Sequence, residues 1–304
     1  MNSLHSALDA FAMWTEDRLR RAPEPCRLGS PRPLDCFAPL PTLPKDAPRA
    51  GLWFAPSPRP ASPGDRMSVY ATPAPSGRRG TLLLVPPWKI NRPDLVSAYT
   101  RLAGEAGFDA WLVCPPYHLH RTPPGTRSGE GFVSLDLSRL RWAFEQLVLE
   151  LRVCAALAAP RGPVGLLGLS LGALAGALAA TSPERLDFAA LVAPANLRLA
   201  VESTAIGRRY RRLAEEALSP WPPAKELGRA LEPFDPSLRA VTAGQLFIAA
   251  GRYDVIAPPQ GALDLSRAWG AEPRLYPRGH LSLILFCRAL RRDLLAFVGA
   301  PTVH

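Results

Sequence analysis

The chain has little lysine: only Lys45, Lys89 and Lys225 among its 36 basic residues, the rest being arginine. It has five cysteines, an odd number, and no C-x-x-C pair. That argues against a disulfide framework and against a thiolate zinc site, and it suits a reducing, cytoplasmic setting. It has no G-x-G-x-x-G and no Walker pattern, so no nucleotide cofactor is implied, and no cofactor of any kind is expected. The net charge is +10, yet the basic residues are scattered apart from Arg208-Arg209-Tyr210-Arg211-Arg212 and a run within Arg288–Arg292. This pattern reads as a solvated basic surface, with no nucleic-acid-binding module. Residues Met1–Arg21 carry Asp9, Glu16 and Asp17 and lack the basic start and apolar core of a secretory signal. Gly165–Ser182 is uncharged over a length that hydropathy alone would assign to a membrane. Its four glycines, at 165, 168, 172 and 176, argue instead for a buried strand and helix, so no transmembrane segment is expected.

What is present is a regular alternation of strand-like and helix-like stretches. Hydrophobic residues make up 47% of 304 residues, enough for one large core. Residues 1–21 read as an amphipathic helix with Leu4, Leu8, Phe11, Trp14 and Leu19 near one face, able to dock on the body or on a second subunit. Residues 22–64 are proline-rich and read as an extended wrap over the surface. Strands are expected over 66–73, 81–85, 108–114, 164–167, 188–193 and 245–250, and helices over 93–106, 134–158 and 281–298. Residues 197–240 are helical and polar, with Pro breaks, and interrupt the alternation. The fold class is therefore α/β, a mostly parallel, doubly wound sheet. The expected division is an N-terminal helix and proline-rich extension over 1–50 and an α/β domain over 51–304, with a helical lid at about 197–240.

The most informative stretch is Val164 to Gly172, an apolar run leading into Gly168-Leu169-Ser170-Leu171-Gly172. This is G-x-S-x-G between a strand and a helix, the context that lifts a serine onto a sharp turn and exposes its hydroxyl. Small residues are needed on either side because strand and helix approach closely there. A serine hydroxyl needs a base and an orienting acid before it becomes a nucleophile. With five histidines the search is short. His5 and His304 lie near the ends of the chain, and His118 and His120 share one loop. His280 follows Gly279 and precedes a helix-like run. Asp254 lies in Gly251-Arg-Tyr-Asp254-Val-Ile-Ala-Pro258, just past the strand at 245–250. Taken singly, Asp254 also reads as a helix N-cap and His280 as a capping or partly buried histidine. Asn196 stands past the preceding strand, where no carboxylate is available.

On these residues, over roughly 66–298, the chain resembles the α/β-hydrolase superfamily of serine esterases and lipases, whose order is Ser, Asp, His. The resemblance implies Ser170 as nucleophile, His280 as base and Asp254 as orienting acid. It also implies an oxyanion hole from the backbone N–H of Leu171 and one from the loop after 81–85. That loop reads Pro86-Pro87-Trp88-Lys89 where many members carry His-Gly. Proline has no N–H, so the donor would be Trp88, with Lys89 as the fallback. Leu82 to Asn91 also resembles the oxyanion strand of polyhydroxyalkanoate synthases, but those use a cysteine where Ser170 stands.

The loop 115–132 leaves the carboxyl end of a parallel strand, where open α/β sheets bind ligands. Tyr117, His118, His120 and Arg121 are therefore candidates for the substrate rim, with Trp88 and Lys89 beside them. His118 and His120 are two residues apart, but no further ligand cluster supports a metal. The expected activity is hydrolysis of a carboxylic ester through an acyl-enzyme, on a small-molecule or lipid-like substrate, in a possible homo-oligomer. The alternatives are acyl transfer or thioester cleavage by the same residues, or a non-catalytic binding protein with this fold.

Overall fold

The structure is a computed structural model that describes residues 5–9, 24–29, 32–60 and 65–300. Its centre is an eight-stranded sheet in the order β1-β2-β4-β3-β5-β6-β7-β8. The strands are β1 (Gly51–Pro56), β2 (Arg66–Thr72), β3 (Gly80–Val85), β4 (Phe108–Val113), β5 (Val164–Leu169), β6 (Phe188–Val192), β7 (Gln245–Gly251) and β8 (Pro273–Tyr276). β1 and β2 run antiparallel at one edge, and β4, β3, β5, β6, β7 and β8 are parallel.

The central strands read as unbroken apolar runs because both of their faces are covered. In β3, Leu83 and Val85 enter one core and Leu82 and Leu84 the other, as the two-residue period of a strand requires. The first core packs α2 (Leu137–Ala158) and α3 (Leu171–Ala179). The second packs α1 (Ser97–Glu105) and the C-terminal α9 (Arg288–Gly299). Asp136 starts α2 by accepting from Ser138 N at 3.0 Å.

Between β6 and β7 the chain makes α4 (Leu197–Ser203), α5 (Ala205–Glu216) and α6 (Ala224–Leu231), the interruption expected over 197–240. Asn196 caps α4 by accepting from Leu199 N at 3.1 Å. Leu227, Ala230 and Leu231 of α6 join the first core, whereas Tyr210, Leu213 and Ala214 of α5 form a small cluster with Leu135. β7 leads through a loop to α7 (Pro259–Trp269), and β8 leads to α8 (His280–Phe286).

Three local expectations change. β1 lies inside the segment read as an irregular wrap: among the described residues it pairs only with β2, so Gly51 and Pro56 at its ends do not interrupt a ladder on its other side. β8 is four residues with a half-exposed pattern, too short for periodicity to register. The helix expected over 281–298 is two helices, α8 and α9, broken at Cys287, whose extended backbone (ψ 98°) lets its sulfur accept from Leu290 N at 3.4 Å. Of the helix expected over 1–21, residues 5–9 are helical, and Leu4, Phe11, Trp14 and Leu19 lie outside the described residues. Among the described residues, no helix is long and apolar enough to cross a membrane.

Candidate active site

Parallel strands bring their carboxyl ends to one edge of the sheet, and the loops that leave β3, β5, β7 and β8 meet there. Ser170 follows β5 directly and heads α3, with φ 56° and ψ −116°. A side chain at positive φ is strained, and here the surroundings impose it. Ser170 N donates to Val192 O at 2.9 Å, and Ser170 O accepts from Ala173 N and Leu174 N. The two motif glycines are needed for space. A Cβ on Gly168 would lie 2.5 Å from Gly172 O and 2.6 Å from Ala173 Cα. A Cβ on Gly172 would fall on the Val85 carbonyl oxygen and 2.5 Å from that of Pro86. Gly172 therefore lets the loop after β3 run against the start of α3.

His280 Nε2 lies 2.8 Å from Ser170 Oγ, and His280 Nδ1 lies 2.7 Å from Asp254 Oδ2. The other Asp254 oxygen accepts from Ile256 N at 2.9 Å and Ala257 N at 2.7 Å, so the carboxylate is fixed at both ends. All three residues are buried, with Ser170 8% exposed. Burial opposes a charged His280, but Asp254, by charge and by hydrogen bond, outweighs it and raises the imidazole pKa, and Asp9 adds to the effect. An acid-oriented imidazole next to a serine hydroxyl at a helix N-terminus can take the hydroxyl proton as the oxygen attacks.

Sequence reasoning did not single out Asp9 for this site. It is completely buried, and its carboxylate accepts from His280 N at 2.7 Å and from Leu281 N at 3.0 Å. The only sequence signal was a lone acid in an apolar N-terminal stretch, which has no spacing relation to His280.

No protein-family model matches the chain, and no curated protein matches it in sequence. Solved structures do match. An acetyl xylan esterase from Paenibacillus sp. R4 aligns over 94% of this chain and 92% of its own, with TM-score 0.59 and 16% identity. A soluble variant of the monoglyceride lipase from Saccharomyces cerevisiae aligns over 86% and 97%, with TM-score 0.56 and 12% identity. The enol-lactonase from Burkholderia xenovorans LB400 aligns over 81% and 100%, with TM-score 0.53 and 17% identity. The fold is that of the α/β-hydrolases.

Within this α/β-hydrolase frame, the loop 115–132 does not place its polar groups where a substrate rim was expected. His118 has no exposed surface. Its Nδ1 lies 2.8 Å from Pro116 O, and its Nε2 accepts from Lys89 N at 3.1 Å. Burial, with the nearby Arg121 charge, lowers its pKa to about 4 despite the Pro116 bond. His120 turns to the antiparallel edge: its Nε2 lies 2.9 Å from Ser68 Oγ and its ring packs edge-on against Phe54. Arg121 is buried in a carboxylate network, with Nη1 2.7 Å from Glu150 Oε2 and Nε 3.1 Å from Asp65 Oδ1. The strand-end argument places all three on the loop, but His118 and Arg121 point into the protein, and His120 is exposed at the antiparallel edge. A buried arginine needs paired carboxylates, and Glu150 and Asp65 supply them. Tyr117 is half-buried and packs on the first core, where a Cβ on Gly131 would meet its ring at 2.6 Å.

The loop 115–132 thus braces the loop after β3. Trp88 Nε1 donates to Gly129 O at 2.7 Å, and Ser128 Oγ donates to the Ile90 carbonyl oxygen. Lys89 Nζ sits 4.4 Å from the centre of the Trp88 ring. The Lys89 N–H, the fallback oxyanion donor of the sequence reading, is committed to His118.

Proposed function

We propose that this protein is a serine hydrolase of carboxylic esters. The observation that carries the reading is the buried hydrogen-bond chain Asp254–His280–Ser170, with its distances of 2.7 and 2.8 Å. The neighbours in fold are named as an esterase, a lipase and a lactonase, and cleavage of an ester bond is common to those names.

Ser170 Oγ attacks the ester carbonyl carbon as its proton passes to His280 Nε2. The oxyanion lies against the backbone N–H of Leu171, which heads α3 and has no intrahelical carbonyl to bond, and the N–H of Trp88. Asp254 stabilises the imidazolium without taking its proton. The tetrahedral adduct collapses, the C–O bond to the alcohol breaks, and the leaving oxygen takes the proton from His280. A water, deprotonated by His280, then attacks the acyl-Ser170 carbonyl and releases the acid. Each half-reaction returns the proton it borrowed.

Labelling with a fluorophosphonate, with peptide mapping of the adduct, tests this reading. Modification of Ser170 is expected, and His280→Ala should remove it. Ser170→Ala should lower turnover of short p-nitrophenyl esters by about ten-thousandfold or more while the fold persists. Ester turnover at the wild-type rate in folded Ser170→Ala would exclude the proposal.

A further inference from the structure

We propose that Asp9 is a positioning residue for His280: its carboxylate clamps the start of the helix that carries the imidazole and sets a second negative charge beside it. This rests on the hydrolase reading above and adds a residue outside the Ser170, His280 and Asp254 set.

The geometry is specific. α8 starts at His280, and its N-cap position is Gly279, which has no side chain to cap with. The cap is supplied from some 270 residues away in sequence, by Asp9 on His280 N (2.7 Å) and Leu281 N (3.0 Å). A carboxylate on the first N–H groups of a helix makes charge-assisted bonds and meets the positive end of its dipole. Gly279 is required for this contact. Its φ of −86° suits any residue, but a Cβ there would lie 2.6 Å from Asp9 Oδ2 and 2.8 Å from His5 O. The Gly before the histidine is thus a slot for the N-terminal segment. That segment is held on the same loops that carry the site. The His5 ring stacks on Tyr253 at 6.4 Å, Ser6 Oγ donates to Tyr253 O at 3.4 Å, and Arg278 Nη1 lies 3.4 Å from His5 Nε2. Tyr253 is next to Asp254, and Arg278 is two residues before His280.

The clamp has an electrostatic consequence. The carboxylates that act on the imidazole are Asp254, from the loop after β7, and Asp9, from the N-terminal segment. Arg278, His5 and Tyr253 surround the docked segment. Asp9 itself is raised by burial, an effect offset in part by the two N–H donors and reinforced by the charge of Asp254. Removing the Asp9 charge therefore favours the neutral imidazole and takes away support for the imidazolium formed during turnover.

Asp9→Asn is the decisive variant in the full-length protein. Each Asp9 oxygen now serves a separate N–H, and the asparagine NH2 would replace one of these acceptors and face an N–H donor. We expect kcat to fall about tenfold with KM held within about twofold. The acid limb of the kcat/KM profile should move to lower pH. Asp9→Glu, which keeps the charge, should leave that limb in place. Wild-type kcat with an unmoved limb in folded Asp9→Asn overturns the proposal. So does a lower kcat with an unmoved limb, which is what a merely structural contact gives. Gly279→Ala crowds Asp9 without removing it and should displace the limb in the same direction, so the test survives if Asp9→Asn does not fold. NMR titration of the His280 imidazole in Ser170→Ala, with and without Asp9→Asn, reads the shift without any substrate. Fluorophosphonate labelling of Ser170 in the wild type separates failure of the hydrolase reading from failure of the clamp.

Discussion

The backbone N–H of Lys89 donates to His118 Nε2 across 3.1 Å, and His118 Nδ1 meets the Pro116 carbonyl oxygen at 2.8 Å. An imidazole that accepts on Nε2 and donates from Nδ1 is neutral and has a fixed tautomer. The loop proposed to supply an oxyanion donor is therefore locked to the loop after β4 by a fully buried histidine. His118→Ala removes that lock one residue from Trp88. Ester kcat should fall about ten- to a hundredfold with a smaller change in KM, because a misplaced donor weakens transition-state binding most. Steady-state kinetics on folded protein check it.

The same histidine gives the fold a pH dependence. Its pKa of about 4 in the fold lies below the ordinary value of 6.5. Between these values the unfolded chain binds a proton that the folded chain does not. The contribution to stability is complete above about pH 6.5 and is lost as pH falls toward 4, on the order of 3 kcal/mol in full. His120, also lowered by burial, acts in the same direction. His280, raised by Asp254, acts in the opposite one: its contribution is present at low pH and is lost as pH rises through its folded pKa. Urea unfolding at pH 7 and pH 4.5 should show a clear loss in the wild type and a smaller loss in His118→Gln.

Ser170 holds a side chain at φ 56° and ψ −116°. Ser170→Gly relieves that conformation, whereas Ser170→Ala retains it. Ser170→Gly should therefore be more stable than Ser170→Ala by about 1 kcal/mol, even after the larger entropy of an unfolded glycine. Comparison of the two Tm values decides it, and equal Tm values would mean that the elbow stores no strain.

Arg121 answers to Glu150 and Asp65. Burial opposes its charge, but the two carboxylates more than compensate and raise its pKa. Arg121→Met leaves Glu150, whose Oε1 also accepts from Ser57 Oγ at 2.7 Å, buried without its cation. The expected cost is about 3–5 kcal/mol of stability. Thermal unfolding should show a large drop in Tm, with KM for a short ester changed less than about twofold at temperatures where the variant is folded. A large KM change with an unaltered Tm would return Arg121 to the substrate rim.

The parts of the fold readable in the sequence were those written in short-range pattern. β3, β4 and β5 are apolar runs bounded by turns, and the motif around Ser170 lies between a strand and a helix as its spacing requires. β1 and β8 were not readable, since an edge strand and a four-residue strand carry almost no periodicity. The loop 115–132 was located correctly, but the inward turn of His118 and Arg121 was not readable, because position on a loop does not say which way a residue faces.

By itself, then, the sequence determined the alternation of strands and helices, the steric need for small residues around Ser170, and the order Ser170, Asp254, His280. These follow from local periodicity, from backbone sterics and from the scarcity of histidine. Tertiary structure alone decided that His118 braces the loop beside Ser170, that Arg121 is sealed against Glu150 and Asp65, and that Asp9 caps the helix of His280. Each of these depends on groups from distant segments meeting where water is excluded, and there an unpaired donor or charge is costly. That cost is a property of the packed interior and leaves no pattern along the chain.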